Sequence, residues 1–149
     1  MKHYVVITLL FAAVLLISNC NNMTPAAESN MKDLDQNMLD LMMYHDNLGT
    51  FLRQGEADYS LWLLEGLDSC LQVVAVKFKG HRKLTDPFEK AYKKKLRPPI
   101  KNIREALQNS DFPSAIVAYR RLTKNCNGCH IDHDIDKVVM DLSDPAYNQ

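Results

Sequence analysis

Beyond residue 30 the apolar positions fall at spacings of three and four, the period of helices that bury one face. Met31, Leu34, Met38, Leu41, His45, Leu48 and Leu52 form the first such seam. It predicts a helix over 30–53, closed by Gly55. Leu64, Leu67, Leu71, Val74 and Phe78 predict a second helix over 57–79, with Gly80 as its stop. Asp86-Pro87-Phe88-Glu89 reads as a helix start: Asp caps, Pro suits the first turn and Glu lies three after the cap. The stripe Phe88, Tyr92, Leu96 then meets Pro98-Pro99, which is expected to kink or split this third helix before Ile100, Ile103 and Leu107 carry it to 108. Asp111-Phe112-Pro113 opens a fourth helix with Ala115, Tyr119, Leu122 and Cys126 on its inner face. After His130, the residues Ile131, Ile135, Val138 and Leu142 would extend a helical stripe, while Pro145 argues for an irregular end. Short loops favour antiparallel neighbours, so the expected fold is all-α, an antiparallel four-helix bundle over 30–149.

The first 29 residues follow a different pattern. Met1, Lys2 and His3 precede an almost wholly apolar run from Tyr4 to Ile17, and Ser18-Asn19-Cys20 follows. The run is short for a membrane span and reads as a secretory signal over 1–19. Ile17-Ser18-Asn19-Cys20 resembles a bacterial lipoprotein signal, which implies lipidation of Cys20. Asn19 departs from the small residue usual before that Cys. Residues 20–29, polar and Pro-containing, read as a tether. The expected location is extracytoplasmic, on a membrane anchor.

Charge changes the picture little. Lys+Arg total 18 against Asp+Glu 18, so no basic field points to nucleic acid. Lys93-Lys94-Lys95 with Arg97 reads as a solvated helix face, or else as a docking patch for an acidic redox partner.

Cysteine placement changes it most. Cys126-Asn127-Gly128-Cys129-His130 has the CxxCH spacing of c-type haem attachment. Two thiols three residues apart share one side of a helical turn and can reach two vinyl groups of one haem, with the adjacent imidazole close enough to ligate iron. Tetrahedral zinc would need four ligands. Cys70 and His133 are available, but the chain has no second CxxC or HxxxH. A thioredoxin-type pair would sit in a βαβ pattern, which is missing around this one. With Cys20 on lipid and two thiols on haem, Cys70 is left as a buried structural thiol.

A CxxCH near the end of a four-helix pattern resembles the class II c-type cytochromes, cytochrome c-prime and its low-spin relatives. The resemblance covers about residues 30–130. It implies one covalent haem c, with Cys126 and Cys129 as thioethers and His130 as the proximal iron ligand. The family often carries a basic residue shortly after the His; here Ile131-Asp132-His133-Asp134 follows. On the distal side, a residue of the first helix faces the iron. Matching the end of that helix puts Leu39 there, which would leave five-coordinate iron open to nitric oxide or carbon monoxide. Periodicity instead puts Met38 on the seam and Met42 beside it, and either could be a sixth ligand, or simply core filling. His45 also falls on the seam and reads as a core or haem-edge residue. Trp62, Tyr59 and Tyr119 read as core or haem-edge aromatics, and His133 and His81 as surface. The expected function is a monohaem electron carrier serving redox partner proteins, with gas binding as the alternative. No distal His-Arg pattern is legible, so an enzyme such as a peroxidase ranks last. The resemblance also implies a homodimer.

Overall fold

The computed structural model describes residues 34–78 and 87–148, the last two by backbone alone. The signal at 1–19, Cys20, the tether at 20–29, the helix start at 30–33 and the 79–86 turn with Gly80, His81 and Asp86 lie outside the described residues.

The described residues contain four long helices and a short 3-10 turn at Pro145–Asn148, and no strand. Helix α1 spans Leu34–Gln54 and α2 spans Ala57–Lys77. The third helix, α3, consists of three consecutive stretches, Phe88–Ala91, Tyr92–Leu96 and Arg97–Gln108. Helix α4 spans Phe112–Asp132. Each helix packs on two others: α1 on α2 and α4, and α3 on α2 and α4. Ring contacts of Phe51 with Tyr59 and of Tyr44 with Trp62 run in opposite chain directions, so α1 and α2 are antiparallel. The anticipated seams do become the core: Leu34, Leu48 and Leu52 of α1 pack with Leu64, Leu67, Leu71 and Val74 of α2, Ile100, Ile103 and Leu107 of α3, and Ala115 and Leu122 of α4. Met38, Leu41 and Cys126 pack against this core while partly buried.

The C-termini of α1, α3 and α4 follow one scheme. At Gly55, φ is +78°, and Gly55 N–H and Glu56 N–H donate to the carbonyls of Leu52 and Phe51. Those bonds satisfy the last carbonyls of the helix. The same pair of bonds closes α3 at Ser110 (φ 55°) and α4 at Asp134 (φ 53°), where no glycine signals it. Asp tolerates the left-handed region because its short polar side chain costs little there.

The third helix begins at Phe88 with Pro87 in the capping position, one residue later than the sequence suggests. The double proline does not split it. Pro98 and Pro99 have no N–H, so the carbonyls of Lys94 and Lys95 lose their partners four residues on, and the rings crowd them. The helix responds by widening into a π turn over Tyr92–Leu96, with Arg97 N–H donating to the Tyr92 carbonyl. Both prolines then fall in the first turn of Arg97–Gln108, where a missing donor is harmless. The orphaned Lys95 carbonyl is taken by the side-chain amide of Asn125 from α4.

At the start of α4, the Asp111 carboxylate accepts from Ser114 N–H at 3.1 Å. A hydrogen bond from the Ser114 hydroxyl, with this backbone bond beside it, holds the carboxyl below its ordinary 3.8. A depressed folded pKa stabilises above the unfolded value and loses that contribution as pH falls through the folded one. The first turn of α4 is therefore expected to loosen as pH drops below about 4. Amide exchange at Ser114, followed down the pH scale against Asp111→Asn, should rise in the parent and be nearly flat in the variant.

Candidate functional site: the CxxCH turn and its strap

Helix α4 carries the whole motif and continues two residues past it to Asp132. Cys126 and Cys129, three apart, both touch the core and are partly buried. Burial pushes the Cys126 thiol up to about 12, with Cys129 adding to the shift. Burial also raises Cys129, against the opposing pull of Lys95. Reactive dithiol pairs ordinarily have a lowered thiol pKa, the opposite direction to these two. Among the described residues, no three His, Cys, Asp or Glu side chains gather on one point, as tetrahedral zinc would require.

His130 is held from one side. Its Nδ1 lies 2.7 Å from the Lys137 carbonyl. A carbonyl only accepts, so Nδ1 carries the proton, and in the neutral ring Nε2 keeps its lone pair. Metal-ligating histidines are characteristically held in this way, the other ring N–H on a carbonyl or carboxylate.

The carbonyl comes from the segment whose apolar stripe could have continued the helix, with Pro145 arguing for an irregular end. After Asp134 the chain reverses instead. Asn127 grips it twice: its amide donates to the Val139 carbonyl at 3.0 Å, and its oxygen accepts from Val139 N–H at 2.7 Å. Farther on, Arg120 pairs with Asp141 at 3.2 Å and Arg53 donates to the Leu142 carbonyl at 3.1 Å. Residues 135–144 thus form a strap running back along α4 to α1. Ile131 and Val138, 75% and 74% exposed, point away from the core that a continued helix would have joined.

The distal candidates lie on α1. His45 bonds Thr123 at 2.9 Å and Gly49 abuts Tyr119, so α1 and α4 run antiparallel in a fixed register. Equal rise along both helices brings residues 38–42 level with 126–130. Met38 is partly buried against the core. Met42 and Leu39 are 51% and 46% exposed.

His45 is a core histidine. Nε2 meets Thr123 Oγ1, Nδ1 meets Asp46 at 3.1 Å, and the ring stacks on Tyr119 at 4.6 Å. The Tyr119 hydroxyl donates to the His45 carbonyl at 3.1 Å, and burial raises its pKa. Of the three aromatics read as core or haem edge, only Tyr119 is buried. Trp62 (56% exposed) and Tyr59 stack on each other at 5.4 Å on the outer surface, because α2 already fills its inner face with leucines. Cys70 is partly rather than fully buried, and His133 is partly buried as the residue that caps α4. Lys93, Lys94 and Lys95 are all exposed; Lys93 pairs with Glu89 at 2.8 Å and Lys95 with Asp132 at 3.2 Å. Sequence reasoning missed Asn127 and the strap, since nothing local marks an amide for a backbone partner twelve residues on.

No helix among the described residues is long and apolar enough to cross a membrane. No protein-family model matches the chain, and no curated protein or solved structure matches it either.

Proposed function

We propose that the chain is a monohaem c-type cytochrome that carries electrons outside the cytoplasm, tethered to a membrane through lipid on Cys20. One observation carries the reading. Two thiols on the inner side of one helical turn are followed at once by an imidazole whose Nδ1 is engaged by a carbonyl and whose Nε2 is available. Those residues fit haem c: Cys126 and Cys129 would hold it by thioethers, and His130 Nε2 would ligate the iron. When bound, the group supplies one-electron exchange between ferric and ferrous iron. The chain's own residues do the rest. The strap carbonyl keeps the imidazole in one tautomer, Met38 and Leu41 line the same level of α1 with apolar surface, and Asn125 ties the motif helix to α3. The class II resemblance of the sequence points the same way, and so does the leader for a location outside the cytoplasm.

The sixth iron position separates carrier from gas binder. Burial favours Met38 over Met42 as a ligand. The five-coordinate alternative rests on Leu39, whose side chain is exposed at the same level. Optical spectra of the purified protein, ferric and ferrous, with and without carbon monoxide, decide between them. The expected result is a low-spin spectrum indifferent to carbon monoxide, converted by Met38→Ala to a high-spin form that binds the gas, and left unchanged by Met42→Ala. A parent protein that is already high-spin and binds the gas would replace the carrier reading with the gas-binding one. A protein without covalent haem, from cells competent to attach it, would remove both.

A further inference from the structure

We infer that Asn127, inside the CxxCH motif but not required by its chemistry, is a positioning residue: it sets the register of the 135–144 strap so that the Lys137 carbonyl meets His130 Nδ1. Haem attachment asks nothing of the two residues between the cysteines. Here one of them has both ends of its amide engaged by one backbone unit, Val139, at 3.0 and 2.7 Å. The strap needs such a clamp. Its far end is pinned by Arg120 on Asp141, by Arg53 on the carbonyls of Leu142 and Asp144, and by the buried Ser143, which bonds Asp141. Its near end leaves α4 through the left-handed Asp134, with Ile135 N–H on the His130 carbonyl at 2.9 Å. Between these anchors Lys137 and Val138 are exposed and make no core contact that would fix the chain lengthwise. A slip of one residue would turn the Lys137 carbonyl away from the ring. The paired bonds to Val139, two residues beyond Lys137, prevent that slip.

The consequence is a tuned ligand. An imidazole that donates Nδ1–H to a carbonyl is a more basic donor through Nε2. On iron, a more basic ligand favours the ferric state and lowers the reduction potential. This part of the inference rests on the haem reading above; the clamp itself does not.

The test uses Asn127→Ala, Asn127→Asp and Val139→Pro. Asp keeps the acceptor for Val139 N–H and loses the donor to its carbonyl. Pro removes the Val139 N–H from the other side. In haem-free protein, nitrogen NMR of the His130 ring should show the Nδ1–H tautomer in the parent and a tautomer mixture in Asn127→Ala and Val139→Pro. In haem-loaded protein, Asn127→Ala should still attach haem but show a more positive potential, with Asn127→Asp in between. Arg120→Ala, which loosens only the far end, should leave tautomer and potential unchanged. An unchanged His130 tautomer in Asn127→Ala overturns the clamp. A changed tautomer with an unchanged potential overturns the tuning. If the parent attaches no haem, the function proposal and the tuning fall together, and the tautomer still decides the clamp.

Discussion

Replacing both Cys126 and Cys129 with serine is expected to abolish covalent haem while leaving the helices in place. Each thiol would contribute one thioether, so a single replacement should leave a weakened, singly attached product and the double replacement none. Serine is close in size to cysteine, so the packing loss is small. Intact mass and a haem-stained denaturing gel read the attachment; circular dichroism reads the helices. Retention of haem through denaturation by the double variant would place the attachment elsewhere. The same variant in the dithiol reading would lose a redox couple instead, but thiols raised by burial, Cys126 to about 12, are poor candidates for one.

The second large effect concerns the core beside the site. Gly49 lies in the interior of α1, where alanine would ordinarily stabilise a helix by about 1 kcal/mol. Here the sign should reverse. A Cβ at Gly49 would press into the hydroxyl and ring of Tyr119, closer than real side-chain contacts allow. Tyr119 is fully buried, stacked on His45 and bonded to its carbonyl, so it cannot step aside cheaply. Overpacking of this kind costs about 1–3 kcal/mol, and Gly49→Ala should sit near the upper end. Denaturant unfolding of haem-free protein measures it. Tyr119→Phe removes the nearest clashing atom at the cost of its hydrogen bonds, about 1 kcal/mol. Gly49→Ala should therefore cost less in the Tyr119→Phe background than alone, a coupling that a double-mutant cycle isolates. Because this contact also sets the register of α1 on α4, Gly49→Ala should disturb whichever residue among 38–42 faces the motif.

Helix existence was legible because it is local. Leu34, His45, Leu48 and Leu52 recur at the helical period, and the period alone says they share a buried face. The CxxCH spacing was legible for the same reason, since three residues on one helical turn are neighbours in any fold that keeps the helix. The stop at Gly55 and the start at the Asp111 cap follow from residues whose backbone or side-chain preferences act within one turn. Met38 on the seam and Leu39 off it are likewise matters of phase along a single helix.

The remaining features depend on partners distant in sequence. The apolar stripe Ile131, Ile135, Val138, Leu142 has the right period for a helix, yet Asp134 adopts a left-handed conformation and the chain turns back to bond Asn127 and His130. Two prolines predict a break, yet π widening and an amide from Asn125, thirty residues on, absorb the loss. A seam histidine could face a cofactor, yet Thr123 and Tyr119, more than seventy residues away, occupy His45. By itself the sequence determined four amphipathic helices and a helical turn with two thiols and an imidazole. Only the tertiary structure decided which carbonyl holds that imidazole and which α1 residues lie opposite it. Periodicity encodes which face of a helix is buried, whereas a hydrogen bond across the fold depends on where another element happens to bring its donor or acceptor.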